Sequence, residues 1–409
     1  DANTTGDNNT AIGNSSLSEN TTADNNTAIG FFGLNQNTTG TNNTAVGASS
    51  LDANTTGAGN TSVGQNSLSS NTTASDNTAI GHQALFTNVT GANNTAIGKN
   101  SLYYNTANNN TAVGVLAMTN NSSAAGGTAV GQNALTANTT GASNVAVGQN
   151  ALDSNTTAIQ NVGVGFCSLT ANTTGASNVA IGPLALASNT TADINVAVGQ
   201  SAMQTNTTGT NNAALGYQAL FANTTGDSNT AVGQGALAAS TTANDNTAVG
   251  KIALFKNTTG AKNTSVGSLA LCNNTTGTNN TAVGICSLRV NTTGGAVVAL
   301  GDAAGCNNTT GDNNIYIGQL AGADAMNSTT SGNNQIVIGN NSSANAFVKI
   351  DWTVTSDLRD KTEIKDVIHG LDFVNQITPI EYKFKISRED DTPTGDKKYG
   401  FKAQEILKL

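Results

Sequence analysis

The chain has 409 residues, of which 10% are charged and 4% aromatic, with 45 Gly, 3 Pro and a formal net charge of −9. That balance excludes a conventional globular core, and without a Lys/Arg run or basic stripe it excludes a nucleic-acid partner. Scarce Pro and regularly spaced apolar residues argue against disorder, and no run of about 18 apolar residues is present to insert in a membrane. The chain opens at Asp1 in mid-phrase, so an N-terminal anchor, to a virion or to a cell, is expected outside it.

A glycine closes each Ala-Val-Gly or Ala-Ile-Gly unit, at Gly13, Gly30, Gly47, Gly64, Gly81 and Gly98, a step of 17 residues. The step is 16 from Gly98 to Gly114, returns to 17 as far as Gly318, and stretches before Gly339. The lost residue falls in the Asn/Thr/Gly segment and spares Thr-Ala-Val-Gly, which makes the first a loop and the second a ladder. Units this short cannot be helical hairpins, and the β-branched, Gly-punctuated phrase favours short strands. The expected fold is all-β: a parallel β-solenoid or β-roll of about 20 coils, with residues 1–300 as its shaft. Coils about 4.8 Å apart would stack Asn on Asn and Thr on Thr as vertical ladders.

Each coil offers two large aliphatics, both read as inward: the Val or Ile before the marker glycine, and a Leu four residues after it, as at Leu17, Leu34 and Leu51. Two such side chains give a thin coil little interior of its own, so several chains are expected to share a core. Three-sided β-helices of the hexapeptide acyltransferase kind need an aliphatic at every sixth position, which this repeat lacks.

Asn-Thr-Ala-Val-Gly with a following small-x-Leu resembles the head repeats of trimeric autotransporter adhesins and the similar arrays of phage tail fibres. The resemblance covers roughly residues 1–345 and implies a trimeric parallel β-roll. Residues 301–349 read as atypical capping repeats, with Gly305 and Gly322 in the ladder-Leu place.

Residues 350–409 form a different, charged domain containing the single Trp, Trp352. Ile364, Val367, Ile368, Leu371, Val374 and Ile377 have helical spacing, Pro379 ends that helix, and "IEYKFKI" alternates like a strand. "EDDTPTGDKK" reads as a polar turn before "YGFKAQEI". The order Ser356-Asp357-x-Arg359-x-Lys361, amphipathic helix, "ITPIEYKF", Gly400-Phe401-x-Ala403-Gln404-Glu405 resembles the C-terminal intramolecular chaperone of phage tail spikes and fibres, the self-cleaving endosialidase type. The resemblance implies a small α+β domain that trimerises, brings three chains into register and cuts itself away. It makes Ser356 the nucleophile, Lys361 the base that takes its proton, Asp357 and Arg359 supporting residues, and Ser356–Asp357 the scissile bond. Asp360 stands where the family has an apolar residue, and its carboxylate would raise the lysine pKa and slow cleavage. The domain also stops soon after Glu405, as a truncated or short variant would.

Simpler readings compete at several positions. Ser356 or Asp357 could cap the following helix. The Asn-x-Thr sequons follow automatically from a ladder built on Asn-Thr-Thr. Cys167, Cys272, Cys286 and Cys306 form no Cys-x-x-Cys pair and read as small residues in variable slots; His82 and His369 are isolated. No metal or cofactor is implied. Phe31, Phe166 and Tyr217, one residue after the marker glycine, and Phe86, Tyr103, Phe221 and Phe255, five after it, read as surface or inter-chain packing residues or as contacts to a receptor or glycan.

The expected protein is a homotrimeric tail fibre of a phage virion that attaches to a host receptor or glycan. It would join other tail proteins through its N-terminal side and have no activity beyond self-cleavage. The alternative is a bacterial cell-surface adhesin or stalk on the same β-roll.

Overall fold

The computed structural model describes residues 2–323, 330–343, 376–385 and 392–402. The chain divides into two compact units, Asp1–Ile338 and Gly339–Leu409.

In the first unit each Thr-Ala-Val phrase is a three-residue strand, and twenty of them, β1 (Thr10–Ile12) to β20 (Ile336–Ile338), stack in chain order. Every pairing is parallel and in phase: Thr10 lies against Thr27, Ala11 against Ala28, and Ile12 against Ile29. This is the solenoid of about 20 coils that the 17-residue beat predicts. The shortened coil leaves the ladder intact, with Thr95 of β6 (Thr95–Ile97) opposite Thr111 of β7 (Thr111–Val113). The stretched one does the same, with Ile315 of β19 (Ile315–Ile317) opposite Ile336. Loops absorb the irregularity because only the strands must keep phase.

The interior differs from the expected one. Ala28, at the centre of β2 (Thr27–Ile29), is fully buried, whereas Ile29 is 37% exposed, and the same alternation recurs along the stack. Val and Ile before the marker glycine therefore point outward from their own coil. The leucines, Leu34, Leu51 and Leu68 among them, are fully buried as predicted. The reason is width. At Gly163, the strand centre of β10 (Val162–Val164), an added Cβ would lie 3.3 Å from Leu152 Cγ. A Leu reaching across the coil thus leaves room for a methyl on the strand and no more.

Two backbone features close each coil. Gly47 has φ +134°, and a Cβ there would lie 2.6 Å from the carbonyl oxygen of Gly64 one coil on, so the marker position must be glycine. Leu51 has φ 55°, in the left-handed region, and its row shares that conformation. Such a backbone costs a leucine about 1–2 kcal/mol, which burial of its side chain, about 1.5–3 kcal/mol, offsets.

Asparagine forms two buried columns. In the first, Asn54 Nδ2 donates to Asn37 Oδ1 at 2.8 Å and to Gly57 O at 2.9 Å, tying its coil to the previous one and bracing its own corner. In the second, Asn26 Oδ1 accepts from Asn43 N at 2.9 Å while Asn26 Nδ2 donates to Gly40 O at 3.0 Å. Gly40 O also accepts from Asn37 Nδ2 at 2.9 Å, so both columns meet at one carbonyl. The threonine ladder runs beside them, Thr38 Oγ1 donating to Thr55 O at 3.1 Å. Asn37, Asn54 and the members of their column inside the stack are buried, so the Asn-Thr-Thr sequons there are structural ladders in the folded coil.

Departures from consensus are compensated in some coils and not in others. Gly127 replaces a second-column Asn, and a Cβ there would lie 2.7 Å from Cε of Met118, which replaces a ladder Leu and fills the space. Tyr316 replaces a strand-centre Ala in β19 and is buried, its hydroxyl donating to Asn308 Oδ1 at 3.3 Å. Ser240 replaces a first-column Asn without compensation: its hydroxyl and Asn223 Oδ1, one coil before, are both buried with no hydrogen-bond partner.

In the second unit the described residues form an antiparallel hairpin of β21 (Ile380–Lys385) and β22 (Pro393–Gly400), with Ile380 opposite Gly400 and Lys385 opposite Pro393. β21 is the strand read from "IEYKFKI". The segment read as turn, 389–398, is strand from Pro393 on, because pairing with β21 outweighs its polar composition. Pro393 is tolerated as the first strand residue, where the missing N–H breaks no ladder. Lys397 Nζ and Glu381 Oε1 are 2.8 Å apart across the pair. Of the helix expected over 364–377, only the last two residues are described.

Candidate functional site

Strands alternate, so burying the central Ala turns the first and third residues of every strand to the same outer face. The third position is Val, Ile or Leu in all twenty strands, which makes a continuous aliphatic ridge along the stack. Ile12 is 59% exposed, Ile181 41% and Ile338 62%. A monomeric surface rarely carries so long a contiguous apolar feature, and such patches mark interaction sites. The inward reading missed it; the signal lay in the residue between Thr and Val, always small until Tyr316.

The other outward side chains are scattered by comparison. Phe86 and Tyr103, on adjacent coils, stack with ring centroids 5.0 Å apart, and Tyr104 meets Tyr103 edge-on at 4.5 Å. Phe31 packs edge-on against Phe32 at 4.2 Å. Phe166, Tyr217 and Phe255 stand exposed on separate coils. The four cysteines are free thiols, and burial pushes the Cys272 and Cys306 thiols up. Among the described residues no group of three His, Cys, Asp or Glu could hold a metal, and no helix is long and apolar enough to cross a membrane. Burial raises the Asp52 carboxyl, whose Oδ1 has no hydrogen-bond partner.

The predicted cleavage residues Ser356, Asp357, Arg359 and Lys361 lie outside the described residues. Residues 356–409 match the family described as chaperone of endosialidase. The match begins at Ser356 and spans Lys361, the predicted helix, and β21 and β22. A β-solenoid followed by this chaperone domain fits a tail fibre with an endosialidase-type chaperone. No curated protein and no solved structure matches the chain.

Proposed function

We propose that this protein is a homotrimeric tail fibre of a phage virion used in host attachment, and that its chaperone domain aligns the three chains and then cuts itself off beside Ser356. The observation that carries the reading is the aliphatic ridge in combination with a C-terminal chaperone of endosialidase match. Full burial of a Val or Ile is worth about 1.5–3 kcal/mol, equivalent to about 60–120 Å² of apolar surface. Eleven of the twenty are 36–62% exposed and the rest partly exposed, so the ridge offers roughly 300–1,000 Å² per chain, a range that includes the ~800 Å² per partner of a standard interface. Two further copies of the chain would cover it, each supplying the same ridge around a threefold axis.

Coils that share one backbone and one core leave a shift of one repeat only weakly penalised, so an alignment device at one end speeds the choice of register. For release, Ser356 is the nucleophile and Lys361 the proton acceptor, which requires a neutral lysine and hence burial or neighbouring cations to lower its pKa. The receptor side is a host surface molecule or glycan met by the shaft's exposed side chains, and other tail proteins hold the opposite end.

Native mass spectrometry of the full chain tests assembly: a mass of three chains is expected, and a single-chain mass overturns the trimer. Ile80→Asp and Ile181→Asp together, on the ridge, are expected to yield monomer. For cleavage, a fragment starting near Asp357 should appear in the wild type and disappear in Ser356→Ala; equal integrity of both refutes the Ser-Lys assignment.

A further inference from the structure

The ridge has a neighbour on the same outer face that is not uniform. The first strand residue is Thr from β1 to β8, then Val145, Val162, Val179 and Val196 in the next four strands, β9 to β12. β13 (Ala213–Leu215) has Ala, the following four strands return to Thr, and β18 (Val298–Leu300), β19 and β20 begin with Val, Ile and Ile. All are outward: Val145, Val162 and Val179 are partly exposed, and Val196 is 43% exposed. The outer face therefore carries polar levels and apolar levels in an order that does not repeat.

We propose that this order is a register key, a second alignment device built into the shaft and read by two further copies of the same chain. The proposal rests on the trimer reading above. Around a shared axis, Thr levels can satisfy one another by hydroxyl-to-hydroxyl hydrogen bonds and Val levels can pack, whereas a Thr facing Val buries a hydroxyl with nothing to pair it. A slip of one coil sets a Thr against an apolar residue at three places, Thr128 against Val145, Ala213 against Thr230 and Thr281 against Val298. Slips of two to nine coils each create at least four such mismatches, and by nine coils nearly half of the ladder is lost. The third-position ridge, aliphatic throughout, supplies adhesion without discrimination; the first-position row supplies the discrimination.

The test is selective co-assembly of full-length chains. One chain carries the apolar block moved six coils earlier, by Thr44→Val, Thr61→Val, Thr78→Val and Thr95→Val together with Val145→Thr, Val162→Thr, Val179→Thr and Val196→Thr. Both residues already occupy this place in neighbouring coils, and overall composition is unchanged. Tagged and untagged wild-type chains are co-expressed as the reference and should mix statistically. Wild type co-expressed with the moved-block chain should give mixed trimers at least tenfold below the statistical share, each chain forming its own trimers. Statistical mixing overturns the register key while leaving the trimer standing. Failure of tagged wild type to capture untagged wild type overturns the trimer itself. A second reporter, carrying only the four Val→Thr changes, should also be depleted from wild-type trimers, and its unhindered mixing would count equally against the key.

Discussion

A Cβ on Gly322 would lie 2.5 Å from Cε1 of Tyr316. On the other side of the ring, a Cβ on Gly305 would lie 2.8 Å from its Cδ2. One phenol thus fills the space that two ladder leucines fill elsewhere, and what reads in the sequence as decay of the repeat is an exchange of two side chains for one. Tyr316→Ala is expected to cost about 3–5 kcal/mol, seen as faster hydrogen exchange in β18 to β20. Adding Gly305→Leu and Gly322→Leu to it should restore protection, whereas either leucine beside the intact Tyr316 should not be tolerated.

The ladder fault at Ser240 predicts a stabilising change. Ser240→Asn would give Asn223 Oδ1 its donor and present an acceptor to Asn257, two buried hydrogen bonds worth about 1–3 kcal/mol together. The denaturant midpoint should rise; an unchanged midpoint would mean that the fault is already satisfied.

Met118 and Gly127 should behave as one unit. Gly127→Asn alone drives the new side chain into Met118 Cε and should destabilise, and Met118→Leu alone leaves a void. The double variant recreates the consensus coil, so a double-mutant cycle should give a coupling of about 0.5–3 kcal/mol in its favour.

The raised Asp52 carboxyl gives a pH dependence of definite sign. Burial makes the folded chain hold this proton more tightly than the unfolded one. This group's contribution to stability is therefore full below the usual carboxylate range and is lost as pH rises through the raised folded value. Asp52→Asn should flatten that slope and stabilise the shaft at neutral pH, as read from thermal melts between pH 3 and 8.

Much of this was legible in the residues. The spacing of Gly47, Gly64 and Gly81 gives coil length and strand position directly, because a marker glycine cannot change place without a clash between coils. Buried Leu51 and the Asn37–Asn54 amide ladder also follow from the pattern. The direction of Ile29 does not. Apolar residues are assigned to the inside by default, and that rule fails at Ile29 because the coil interior is already filled by the ladder Leu and the central Ala. Ser356 and Lys361 are read from the order of the surrounding motifs alone and lie outside the described residues.

The strand hydrogen bonds run from coil to coil, along the stack rather than across it. A pull applied lengthwise therefore passes through the coil interfaces in series, and every interface bears the whole force. Tensile strength is then set by the weakest level and not by the average, and more coils add reach without adding strength. The two levels on either side of Ser240, where the column's amide-to-amide hydrogen bonds are missing, are where such a rod is weakened.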